Sequence, residues 1–368
     1  MYPERVSRLR QIMAGAGLDA IALNPGTLLT YLTGLRLHLM ERPVTAIFPR
    51  EGTPVLVLAG LEAGKAKAVP YELKVITYSD DPATWEGAFR SAGQASGMDG
   101  KHIGVEPGRM RVLELRFLEA GMPRAHFISA QESLAGLRIR KDAEEIGRMR
   151  KAVQIAQQAF TQTVAAARVG MSEREFAAEL TLQLFRAGSD SELPFAPIIA
   201  SGPNGANPHA VPGERKFTRG DLVVVDWGAG WQDYFSDLTR ALAIGPIDAE
   251  SAHIAQVTRE ANAAGRAAAK PGIPIGEVDR AAREVITAAG YGEYFFHRVG
   301  HGLGMEEHEE PYAFGGNPLL LEPGMTFTVE PGIYLSGRAG VRIEDNVVIT
   351  ATGCDTLSDL PREPFVIE

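Results

Sequence analysis

Four acidic residues of this chain stand where a buried strand should be apolar. Asp226 ends the run Leu222, Val223, Val224, Val225 in LVVVDWGAG, and Asp237 follows eleven residues later in SDLTR. Glu330 interrupts FTVEPGIY, and Glu344 interrupts VRIEDN. An ionised carboxylate in such a setting is costly unless it is paired or bound to a cation. A hairpin through Gly228 and Gly230 sets the two aspartates side by side, where bare carboxylates repel. Arg240 and Arg342 are too few to balance four such charges, whereas two divalent ions suffice. The fold must therefore gather these strands around one oxygen-rich site.

A nitrogen donor is at hand. The stretch HRVGHGLGMEEHEEP, residues 297–311, carries three of the chain's eight histidines. Four carboxylates and one imidazole make a donor set that suits Mn²⁺ or a similar ion better than a thiolate zinc site does. His301 is the expected nitrogen ligand of a dinuclear centre. The lone cysteine, Cys354, excludes an internal disulfide and a cysteine-based zinc site, which fits a reducing compartment.

At 368 residues and 45% apolar content the chain is long enough for two domains. Helix and strand patterns alternate up to about residue 135: a helix over 3–16, then strands at DAIAL, TAIFP and PVLVLA. This predicts a small α/β domain with a mixed sheet. After Gly136 a basic run opens a long helical pattern, so the boundary falls near 136–141, giving domains 1–137 and 138–368. Further helices are expected over 143–168, 172–187, 249–269 and 276–289, the second opened by a Ser172/Glu175 capping box. Strands are expected at LVVVDWG, MTFTVEPGIY and GVRIEDNVVI. A net charge of −9 argues against nucleic acid as a partner. No leader pattern and no apolar run of membrane-spanning length are evident, so a cytoplasmic protein without a membrane partner is expected.

The ordered set NPHA, VVVDWGAG, SDLTR, HRVGHGLGMEEHEEP, TVEPGIY and GVRIEDN resembles that of the pita-bread metallopeptidases. Within them it is most similar to the Xaa-Pro peptidases, prolidase (Xaa-Pro dipeptidase) and aminopeptidase P. The similarity spans nearly the whole chain. It implies an α/β (α+β) architecture, with an N-terminal creatinase-like domain followed by a C-terminal pita-bread catalytic domain.

The resemblance puts the family's five metal ligands on Asp226, Asp237, His301, Glu330 and Glu344, all intact here. Creatinase-type relatives have lost that set, and methionine aminopeptidases lack the first domain. Two divalent ions are implied, Mn²⁺ first, with Co²⁺ or Zn²⁺ as alternatives. His209, His297 and His308 are carried over as the substrate-facing histidines, Arg342 as the arginine that orients groups around the site, and Phe195 as the apolar wall for proline. Glu330 is expected to accept and relay a proton, and protonated histidines, His308 first, to stabilise the oxyanion. The implied substrates are proline-containing peptides, and the implied assembly is a homodimer.

One position departs from the pattern. Many prolidases carry an arginine four residues after the histidine matching His308, where it can hold a dipeptide's carboxylate. Here Tyr312 stands there, and Glu307 replaces an apolar residue before the histidine. Both weaken the expectation of a strict dipeptidase. The remaining histidines, His38, His102, His126 and His253, are assigned no role.

Overall fold

The structure is a computed structural model that describes residues 2–368. The chain divides after Arg138 into two compact units. The first holds strands β1 (Ala20–Leu23), β2 (Thr45–Pro49), β3 (Val55–Ala59), β4 (Lys74–Tyr78), β5 (His102–Val105) and β6 (His126–Ser129). They form one sheet in the order β4-β3-β2-β1-β5-β6. β2 runs antiparallel to β1 and β3, while β3–β4, β1–β5 and β5–β6 are parallel, so the sheet is mixed. β1, β2 and β3 are buried along their whole length, which continuous apolar runs require. Phe89 and Ala92 of the helix Trp85–Ser96 share a core with Val55, Val57 and Ile103.

The second unit opens with the helix Ala143–Ala166, capped by a reciprocal Asp142/Glu145 box. The helix Glu173–Arg186 follows with the expected Ser172/Glu175 box. Its strands are β7 (Ile198–Ser201), β8 (Leu222–Trp227), β9 (Gly230–Trp231), β10 (Tyr234–Phe235), β11 (Leu238–Ile244), β12 (Gly300–Gly302), β13 (Glu309–Ala313), β14 (Thr326–Val329), β15 (Gly332–Leu335), β16 (Ala339–Arg342), β17 (Asp345–Ile349), β18 (Cys354–Thr356) and β19 (Phe365–Ile367). Two larger sheets result, β19-β11-β8-β7 and β13-β12-β14-β17-β18, with β15–β16 and β9–β10 as separate ribbons. The helices Ala249–Ala268 and Gly276–Ala288 bury Ile254, Ala261, Val278 and Ala282 in one core with Phe327, Val329 and Val341. No helix among the described residues is long and apolar enough to cross a membrane.

Two expected strands are each broken in two. MTFTVEPGIY divides at Glu330–Pro331 into β14 and β15, which belong to different sheets. GVRIEDNVVI divides at Ile343–Glu344 into β16 and β17. Proline has no N–H for a ladder, which accounts for the first break. An isolated bridge from Glu344 to Thr239 of β11 occupies the second. The acids of these segments therefore stand at junctions where sheets meet, and not within strands.

Trp227 anchors the strand that carries Asp226. Its ring stacks on Phe160 with centroids 4.3 Å apart, and its Nε1 donates to the Ala156 carbonyl at 2.9 Å. Truncating such a fully buried side chain costs about 3–5 kcal/mol, so the position of Asp226 is firmly held.

Candidate metal centre

β8 and β11 pair antiparallel, with Asp226 opposite Thr239. The loop between them is itself a small hairpin, β9–β10, whose turn residues Gln232 and Asp233 have φ of 51° and 70°. This returns the chain so that Asp237 lies beside Asp226 at the same end of the sheet. The side chain of Asn346 clamps the Asp237 backbone, accepting its N–H at 3.0 Å and donating to its carbonyl.

His301 sits on β12 between Gly300 and Gly302. A Cβ on Gly300 would lie 1.9 Å from the Thr328 carbonyl oxygen, and one on Gly302 2.4 Å from Glu310 backbone atoms. The glycines flanking the histidine thus let β12 pack tightly between its neighbours. The His301 N–H donates to Thr328 Oγ1 at 3.0 Å. Its ring Nδ1 faces the Gly302 carbonyl at 3.1 Å, and since a carbonyl only accepts, the proton is on Nδ1. Nε2 faces Asp237 Oδ2, 3.6 Å away, and Glu330 Oε1, 3.3 Å away. Two carboxylate oxygens converging on one imidazole nitrogen call for a cation between them, a proton in the metal-free protein and a metal ion when one is bound.

The carboxylates show the same demand. One donor atom from each of Asp237, His301 and Glu344 lies within 4.8 Å of the others, and all three are buried. Thr239 Oγ1 donates to Glu344 Oε2 at 2.7 Å, and Arg342 Nη2 donates to Asp226 Oδ2. The remaining oxygens, Asp226 Oδ1, Asp237 Oδ1 and Glu344 Oε1, are buried without a hydrogen-bond partner. Buried orphan acceptors are rare in folded proteins, and three on one cluster match the coordination shell of hard divalent ions.

Electrostatics agree. Burial, reinforced by Glu344 and Asp226, holds the Asp237 carboxyl well above the usual aspartate range. Burial, with Glu330 and Asp226, does the same to Glu344. Burial raises Asp226 against the opposing pull of Arg342. Glu330 is the exception: burial pushes it up, but the hydrogen bond and charge of His301 prevail and bring it to about 2. Carboxyls forced up by one another are what bound cations relieve.

Around this cluster lies a cavity of about 740 Å³ lined by Phe195, His209, His297, His308 and Arg342 together with all five acid and imidazole groups. The His308 ring tilts over His301 with centroids 3.8 Å apart. Burial, then the charge of His301, lowers His308 to about 4. Burial likewise lowers His297. At neutral pH both rings are therefore neutral, where protonated histidines are expected from the sequence; nearby metal ions would push them lower still. Tyr312 is absent from the cavity lining and lies beneath the guanidinium of Arg298.

Four contributors escaped the sequence reading. Tyr334 lies 3.0 Å from His297 Nε2 and accepts from Arg342 Nη1 at 2.9 Å. Because His297 Nδ1 donates to the Arg298 carbonyl at 2.7 Å, its Nε2 accepts the Tyr334 proton. A continuous chain therefore runs from His297 through Tyr334 and Arg342 to Asp226. Phe296 and Arg298 line the cavity. Lys141 supports the segment beside His308 from behind, through Glu309. Tyr334 and Arg298 each had a signal, lying in the quoted TVEPGIY and HRVGHGLGMEEHEEP.

The chain matches the Metallopeptidase family M24 model over residues 147–351 and the Creatinase/Prolidase N-terminal domain model over residues 5–140. It is 34% identical over 363 residues to the Xaa-Pro dipeptidase of Lactobacillus delbrueckii subsp. lactis, covering 98% of both chains. The crystal structure of the prolidase from Thermococcus sibiricus superposes with a TM-score of 0.94 at 33% identity, covering 100% of this chain and 99% of that one. That of a dipeptidase from Pyrococcus horikoshii gives 0.93 at 37% identity, covering 99% of this chain and 100% of that one. With matched models over both units and such full-length likeness, the chain belongs to metallopeptidase family M24 and carries that family's creatinase/prolidase N-terminal domain.

Proposed function

We propose that this protein hydrolyses Xaa-Pro peptide bonds as a prolidase-like dipeptidase. In this reading residues 138–368 form the catalytic domain and residues 1–137 the creatinase-like domain. Asp226, Asp237, His301, Glu330 and Glu344 hold two divalent ions, Mn²⁺ in preference to Co²⁺ or Zn²⁺. The observation that carries it is the set of three buried, unpartnered carboxylate oxygens, on Asp226, Asp237 and Glu344, in one cluster with the His301 imidazole. The names of full-length relatives support the bond specificity.

Divalent ions held by these five residues would make water more acidic near neutral pH and act as Lewis acids toward the scissile carbonyl. The chain's own groups do the rest. Glu330 accepts the proton of the attacking water at its carboxylate and passes it to the departing proline nitrogen. The neutral N–H of His308 donates to the developing oxyanion, His209 orients the peptide, and His297, held by the Arg298 carbonyl and Tyr334, offers its ring as part of the substrate-facing wall. Arg342 fixes Asp226 and Tyr334 in place. Phe195 and Phe296 offer apolar surface to the proline ring, whose nitrogen has no N–H to satisfy.

A second reading, aminopeptidase P activity on longer peptides, is favoured by one feature, Tyr312 at the position where many prolidases carry arginine. A cytoplasmic homodimer completes the proposal, in keeping with the lone Cys354 and the family resemblance. Product analysis on Ala-Pro and Ala-Pro-Ala with Mn²⁺ present tests it. Faster release of alanine from Ala-Pro supports the dipeptidase; faster release from the tripeptide supports the aminopeptidase; release from neither contradicts both.

A further inference from the structure

Two arginines line the catalytic cavity, and they differ in how far they are committed. Arg342 is fully engaged, donating to Asp226, Thr239, Tyr334 and the Pro208 carbonyl. Arg298 is not. Its guanidinium forms no ion pair among the described residues, and its one ring contact is with Tyr312, whose centroid lies 4.3 Å from Cζ. An aromatic face beneath a guanidinium holds the cation in place electrostatically and leaves its N–H edge available to a ligand.

The platform stands close to the reaction centre. Tyr312 on β13 is the ladder partner of His301 on β12, so the two side chains leave the sheet as near neighbours. The Arg298 backbone is also fixed, because its carbonyl accepts from His297 Nδ1. The charge of Arg298 is felt at His308 and at Glu310. Glu310 is half-buried, and it makes no ion pair with Arg298 either.

An Xaa-Pro dipeptide carries one charged group on the leaving side of its scissile bond, the proline carboxylate. A planar guanidinium with free N–H groups at the edge of the site matches that group in charge and in two-point geometry. We propose that Arg298, seated on Tyr312, binds the C-terminal carboxylate of the dipeptide substrate and so sets the preference for dipeptides. This rests on the Xaa-Pro reading of the same site. It also gives Tyr312 a role as the seat of the cation.

The test compares kcat/KM on Ala-Pro and on Ala-Pro amide, which lacks the carboxylate, using Mn²⁺-loaded wild type, Arg298→Gln and Arg298→Lys. Charge-assisted hydrogen bonds of this kind correspond to a preference of about tenfold or more. Wild type should favour the acid by that margin. Arg298→Gln should lose the preference through a raised KM for Ala-Pro at unchanged metal content, and Arg298→Lys should keep part of it. Equal rates on the two substrates by wild type would overturn the assignment whether or not the variants fold. So would an equal loss on both substrates in Arg298→Gln. If wild type cleaves neither substrate, the Xaa-Pro reading itself fails and the assignment falls with it, a result distinct from equal cleavage of both.

Discussion

Lys141 Nζ lies 2.6 Å from Glu309 Oε1, and only 2% and 4% of the two side chains is exposed. The pair joins the segment just before the first helix of the second unit to the residue that follows His308. Desolvating both ions offsets most of their attraction, but removing one partner leaves the other charge buried. Lys141→Met should therefore destabilise the fold by about 3–5 kcal/mol, measured by urea denaturation. A change near zero would show that the pair is dispensable.

Metal-free protein should lose stability as pH rises. Asp237 and Glu344 have folded-state pKa values above their unfolded ones, so the native state binds more protons than the unfolded state. Stability then falls with pH from the ordinary carboxylate range up through the raised values. Asp237→Asn should make the metal-free protein more stable than wild type at pH 7 and flatten this slope. The reverse order of stability at pH 7 would contradict the mutual repulsion.

His308→Ala should keep its metal and lose about 10²–10³-fold in kcat, since the imidazole is assigned to the oxyanion and not to the ions. Metal content falling in step with activity would reassign the residue as a ligand.

Tyr334→Phe removes a hydroxyl that is buried between His297 and Arg342. One acceptor and one donor lose their partner, which costs about 1–3 kcal/mol. Catalysis should fall with little change in metal content. Wild-type kcat together with wild-type stability would sever the proposed chain from His297 to Asp226.

The acid cluster was legible because an acid in an apolar run is anomalous whatever the fold. The helix over Glu173–Arg186 was legible through its capping box, which is local chemistry. The breaks at Glu330 and Glu344 were not, because an apolar run looks the same whether it stays in one sheet or crosses to another; Pro331 was the one available signal. Lys141 was hidden in a run that looks like a solvated basic face, its partner lying 168 residues away. Arg298 and Tyr312 are fourteen residues apart, and only the β12–β13 ladder brings them together.

Titrating Mn²⁺ into chelator-stripped protein while following both bound ion and Ala-Pro hydrolysis tests the metal centre most directly. Activity should be absent without metal, rise with bound ion and reach its plateau at about two ions per chain, as a dinuclear site requires. Undiminished hydrolysis by the stripped protein, or none at saturating Mn²⁺, would contradict the assignment of these five residues to an Xaa-Pro peptidase centre.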